Sequence, residues 1–260
     1  MTLTESPGAT ADRARIHGDY VTLRVALLLV GSYVVFGLLG FAVCAGFWPP
    51  PGEDWTANQI HAYFVEHKTG LTLGMVLMAF AGPFYVTWSV AISKVIGRIE
   101  GPMGPLAGIQ VIGGLLTGVV TFVPATIWIT AAFRVEERSP EMVQTLYDFG
   151  WMFFDTTFVC SALQSVAIGA AILRDRRVTT LYPRWFAYVS FFTAFCYLPL
   201  TVMPFVKTGL FAWHGGISFW VVFVEFFLFT ALGTWLTWRA LGQLEQDDLM
   251  AVTATAELRS

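Results

Sequence analysis

The chain has 260 residues, 56% of them hydrophobic and only 13% charged, with a net charge of −3. A soluble domain carries roughly 25% charged residues, and here the apolar residues run in long unbroken stretches, so the solvent around them is lipid. The acidic balance argues against nucleic acid as a partner, because that requires a basic patch.

Residues 1–24 are polar, with Arg13, Arg15, His17 and Arg24, and read as a cytoplasmic N-terminal tail. The apolar run that follows is too long for a signal-peptide core, so it reads as a retained first span. A helix needs about 20 apolar residues to cross the hydrocarbon layer. Six segments qualify: 25–47, 70–92, 106–130, 149–173, 185–205 and 216–238. They are apolar on every face, unlike the alternating strands of a membrane barrel. The expected fold is an all-α membrane protein, a bundle of six transmembrane helices over residues 25–241. Residues 242–260 form a cytoplasmic C-terminal tail, an acidic helix end followed by disorder.

Basic residues set the orientation. Ten Lys and Arg near span ends lie on the side of the termini and four on the other, Lys68, Arg134, Arg138 and Lys207. Both ends are therefore expected in the cytoplasm and the chain in the plasma (inner) membrane. Trp48, Trp55, Trp128, Trp151, Trp185, Trp213 and Trp238 fall near span ends, where amphipathic rings favour the interface.

The outer loops carry helix signals. Thr56 is placed to cap a short helix with Ile60, Tyr63 and Phe64 on one face. Ser139-Pro140-Glu141 reads as a cap, a proline at the first position and an acid in the first turn. Each stretch leads into a span containing Ser-Val-Ala-Ile, at 89–92 and again at 165–168, followed by a basic turn and a proline, Pro105 or Pro183. The shared context suggests duplicated hairpins related by an axis along the membrane normal.

Small residues point to helix contacts. Gly114 and Gly118 form a GxxxG on the third span, while Ser161, Ser165 and Gly169 recur every four residues on the fourth, which predicts close approach of these two helices. Cys44, Cys160 and Cys196 sit in apolar runs with no CxxC, as small buried hydrophobes rather than a disulfide or zinc framework. His61 and His67 are six residues apart, on different helical faces, so no metal site is expected. No pair of deep histidines suits a membrane haem, and no cofactor is indicated.

Ionisable residues within spans carry the functional signal, since each costs on the order of 3 kcal/mol at the bilayer centre. Glu225 lies about 14 Å into the sixth span, close to the midplane. Asp155 lies about 9 Å into the fourth, with Asp148 at its mouth and on the same face. Arg134, closing the third span, is placed to pair with Asp148. The pattern suggests an acid-lined cavity ending near Glu225, with Tyr85, Trp88, Gln110 and Gln164 adding hydrogen bonds. Pro83, Pro124, Pro199 and Pro204 are placed to kink the spans and open pockets. No span shows a clear break.

Three classes of function fit. The first is binding or transport of a small apolar or amphipathic molecule, with Glu225 and Asp155 as polar anchors or proton sites. The second is an intramembrane enzyme using those acids as acid and base. The third is an accessory subunit of a larger membrane complex. Expected partners are accordingly the lipid bilayer, an apolar small molecule, and a second copy or a larger complex.

Overall fold

A computed structural model describes residues 7–101 and 104–258 of the chain. Among them there is helix but no strand. Six stretches are long and apolar enough to cross a bilayer: Thr10–Cys44, Lys68–Glu100, Pro105–Phe133, Pro140–Arg174, Arg184–Phe205 and Gly216–Ala256. The protein is a multi-pass, all-α membrane bundle in contact with lipid. Helices α1 (Pro7–Leu28) and α2 (Val30–Leu38) make the first span, α4 (Lys68–Glu100) the second and α5 (Pro105–Phe133) the third. Helices α6 (Pro140–Thr156) and α7 (Val159–Arg174) share the fourth, α8 (Arg184–Cys196) begins the fifth, and α9 (Val222–Glu257) completes the sixth. Short α3 (Ala57–Glu66) precedes the second span.

The tails differ from the sequence expectation. Residues 7–24 belong to α1, and α9 runs on to Glu257 where disorder was expected. The two helix ends pack together on what is called here the tail face. Glu245 accepts from His17 Nδ1 and pairs with Arg24, both at 2.7 Å. Asp248 pairs with Arg98 at 2.6 Å and accepts the Tyr20 hydroxyl at 2.8 Å. Opposite charges on α1, α4 and α9 thus turn an apparently solvated acidic segment into a contact surface. Residues 1–6 and 259–260 of the expected tails lie outside the described residues.

On the opposite, far face, both helix starts form where the capping signals predict. Thr56 makes a capping box with Gln59, and the Ser139 side chain accepts from the Met142 amide. Each cap satisfies amides that have no partner inside the first turn. The amphipathic faces, Ile60 and Phe64 on α3 and Val143 and Tyr147 on α6, are fully or nearly fully buried. They cover an aromatic cluster in which Phe47 meets Trp128 at 5.3 Å, and Trp151 lies 5.2 Å from Trp128 and 5.7 Å from Trp213. Trp128, Trp151 and Trp213 are therefore core residues rather than interface anchors, while Trp48, Trp55, Trp185 and Trp238 remain exposed.

The GxxxG seam also resolves differently. Gly118 and Gly82 approach backbone to backbone, a Cβ on either falling within 3.0 Å of the other's carbonyl oxygen. A Cβ on Gly114 would stand 1.7 Å from Ser89 Oγ. The motif joins the third span to the second. Contact with the fourth runs instead through Gly113, against Cys160 and Gln164. A second pair, Gly70 and Gly74 on α4, admits the first span at Cys44 and Gly40. In lipid such close packing supplies the attraction that the hydrophobic effect supplies in water.

Candidate functional site

The polar groups expected to line a pocket fall into two sets, those with partners and those without. Tyr85 donates to Gln164 Oε1 at 2.9 Å. Ser89 Oγ accepts the amides of Gln164 at 2.7 Å and Gln110 at 3.0 Å. Trp88 Nε1 donates to Thr234 Oγ1 at 2.9 Å and so ties the second span to the sixth. Tyr85, Trp88, Ser89, Gln110 and Gln164 are all buried. They form a polar seam along α4, α5 and α7, with a link to α9, and helix-to-helix hydrogen bonds account for their presence.

Arg134 and Asp148 are not brought together. Arg134 is exposed, its guanidinium 5.7 Å from the Phe133 ring centroid. Asp148 is half-buried, and the cation whose field reaches it is Lys207. No ion pair joins Arg134 to Asp148 among the described residues. Arg138 folds back onto the Thr130 carbonyl instead.

Asp155 is different. It is 6% exposed and its Oδ2 has no hydrogen-bond partner. It stands at the end of α6, where the fourth span breaks at Thr157 and Phe158 before α7 begins. The hydroxyls of Thr156 and Thr157 turn back to the carbonyls of Met152 at 2.5 Å and Phe153 at 2.6 Å. The expectation of unbroken spans fails here and elsewhere. The fifth span unwinds after Cys196 into tight turns at Leu198–Thr201 and Met203–Phe205, around Pro199 and Pro204. The first and sixth contain wide π-helical turns, Leu39–Cys44 and Gly216–Val221. Pro83 and Pro124, by contrast, lie inside helices that run on.

Against the broken side of the bundle lies a cavity of about 100 Å³, lined by residues from every span except the second. Tyr33, Thr121, Asp155, Tyr197 and Phe226 are among them. Four of its five hydroxyls are engaged, Thr117 with Ser161 at 2.9 Å and with the Gly113 carbonyl at 2.9 Å and Tyr33 with Thr121 at 3.4 Å, while that of Tyr197 makes no such bond. Asp155 alone brings a buried, unsatisfied acceptor to this space. Tyr85 forms its backing, with ring centroids 5.1 Å from Tyr33 and 5.7 Å from Phe226.

Glu225 takes the Thr193 hydroxyl of α8 on Oε1, and its Oε2 has no partner. It sits at the α8–α9 seam and is absent from the cavity lining, although its neighbours Phe226 and Phe227 contribute to it. The two midspan acids therefore do not share one cavity.

One arrangement was not legible in the sequence. Glu53 and His214, 161 residues apart in polar loops, meet at 2.6 Å on the far face, with the Glu53 side chain 5% exposed. Trp213 donates its backbone amide to Glu53 and its indole to the Pro51 carbonyl at 2.9 Å, which also accepts the Tyr147 hydroxyl at 2.7 Å. Burial pushes the Glu53 carboxyl above its ordinary value, against the hydrogen bonds from Trp213 and His214 that favour the ion. This clamp fixes the loop after the first span to the loop before the sixth. No cluster of three or more metal-ligating side chains occurs among the described residues.

Comparison with protein-family models, with curated proteins and with solved structures gave no match. The reading of this protein rests on its own geometry.

Proposed function

We propose that the protein binds a small amphipathic molecule in the cavity at Asp155, in a plasma membrane whose cytoplasmic side meets the tail face. The observation that carries the reading is the Asp155 carboxylate, buried at the break of the fourth span with one oxygen unpartnered at the cavity. A buried polar group without a hydrogen bond costs about 1–3 kcal/mol. A bundle that pairs Tyr85, Ser89 and Gln164 with one another elsewhere retains such a group where a ligand completes it. The aromatic walls suit an apolar body and the carboxylate suits a donor head, the usual division of labour in a small-molecule site.

The separation of Asp155 from Glu225 weighs against an intramembrane enzyme that needs both acids on one substrate. The broken first, fourth, fifth and sixth spans are compatible with carriage of the bound molecule as well as with its retention. Native mass spectrometry of the protein released from mild detergent tests the reading. Wild type is expected to retain a small-molecule adduct that Asp155→Asn loses at unchanged folding. Folded protein with no adduct in either form would end this reading and favour an accessory subunit.

A further inference from the structure

We propose that the molecule bound at Asp155 is a small organic cation, an alkylammonium group held in an aromatic cage. This inference rests on the binding reading above and narrows it to a ligand class. Three features of the cavity point the same way.

The first is an acid without a cationic or donor partner. No lysine, arginine or histidine lines the cavity among the described residues, and Asp155 Oδ2 has no donor. Among nearby hydroxyls only that of Tyr197 is uncommitted, since Thr117 already donates to Gly113 and Thr156 and Thr157 to carbonyls of their own helix. A cation supplies the missing counter-charge without any rearrangement of these bonds.

The second is the wall. Half of the fourteen lining residues are aromatic, among them Tyr33, Phe154, Tyr197, Phe223 and Phe226. Ring faces attract a cation by their quadrupole, worth about 0.5–1 kcal/mol at exposed sites and about 2 kcal/mol or more when desolvated. An alkylammonium uses both the faces and the carboxylate. A bare sodium ion needs several oxygens, and the ring-dominated wall supplies few. The third is the helix end. Asp155 closes the seventeen-residue α6, and the carboxyl end of a helix carries partial negative charge that favours cations.

Size sets the limit. A cavity of about 100 Å³ is somewhat smaller than the roughly 150 Å³ that accommodates benzene. It admits an ammonium head with a few methyl or methylene groups, and a longer chain would have to project beyond it.

The test is the unfolding midpoint of the purified protein against increasing tetramethylammonium chloride. Ionic strength is held constant with lithium chloride, whose small, strongly hydrated cation does not suit an aromatic wall. Parallel series use sodium chloride and tert-butanol, a neutral molecule of similar shape. The expected result is a dose-dependent rise with tetramethylammonium alone, with affinity reduced at least about tenfold in Asp155→Asn. Phe226→Leu, which keeps the apolar volume and removes one ring face, is expected to weaken binding by about threefold or more. This variant carries the test should Asp155→Asn fail to fold. An equal response to tert-butanol overturns the cationic class and leaves small-molecule binding standing. An equal or stronger response to sodium overturns the organic class. No response to any probe, with an adduct still seen by mass spectrometry, overturns this inference alone, whereas loss of both overturns the binding reading as well.

Discussion

Two regions of this bundle handle buried polarity in opposite ways. Along α4, α5 and α7, Tyr85, Gln164, Ser89 and Gln110 bond one another while Gly82, Gly114 and Gly118 bring the backbones into contact. Around the cavity the fourth span breaks, with Asp155 left without a partner for one oxygen. Both regions contain side chains that an apolar solvent penalises. The seam meets most of the cost internally, with Gln110 Oε1 left over, so its polar residues explain assembly. The cavity has not, so its carboxylate calls for an explanation outside the chain.

The sharpest way to break the comparison is to damage the close-packed side. A Cβ on Gly74 would fall 2.2 Å from the Gly40 carbonyl oxygen, where backbone rather than a flexible side chain must yield. Gly74→Ala is expected to destabilise the fold by about 3 kcal/mol, read as a fall in unfolding midpoint in detergent. A neutral result would mean that the first and second spans are not in close contact. Ser89→Ala removes the acceptor shared by Gln164 and Gln110 and is expected to cost about 1 kcal/mol, in line with interhelical hydrogen bonds in lipid. An unchanged midpoint would show that the seam is not held by these bonds.

The sequence disclosed the spans because each is an unbroken apolar run, and the two far-face helices because Thr56 and Ser139 stand where caps belong. Glu225 drew most weight as a lone acid near the midplane, yet no local pattern shows that Thr193, on another helix, reaches it. Asp155 was visible as an acid, but the break beside it was not. Its chain, Asp155-Thr-Thr-Phe158, holds no glycine or proline to signal an interruption. Glu53 and His214 lie far apart in sequence within polar loops, so only the fold discloses their pairing. Gly114 and Gly118 were read as the face toward the fourth span, although one residue's rotation on the helix gives that contact to Gly113 and turns Gly114 and Gly118 to the second.

Outside the spans, Glu53 allows a smaller test through pH. Because burial raises its carboxyl above the ordinary 4.5, the charged form is penalised in the folded state. Its contribution is full below that value and is lost as pH rises through the shifted one. Glu53→Gln, with no charge to bury, is expected to show a flatter dependence of unfolding midpoint on pH between 4.5 and neutrality. Superimposable profiles would contradict the clamp. The smallest expected effect on stability is that of Asp155→Asn, less than the about 1 kcal/mol of a lost hydrogen bond, since Oδ2 has no bond to lose. A large loss would make Asp155 a structural anchor like Ser89.

The most direct measurement compares access to the two regions. In a protein with Cys44, Cys160 and Cys196 replaced by alanine, Thr121→Cys at the cavity and Ser165→Cys outside its lining are exposed to methyl methanethiosulfonate, and labelling is followed by intact mass. Both positions are buried, at 5% and 2% exposure, so burial alone predicts no difference. A ligand-accessible cavity beside a close-packed seam predicts rapid labelling at 121, slowed by tetramethylammonium, and none at 165. Equal labelling at the two positions, or none at 121, would contradict it.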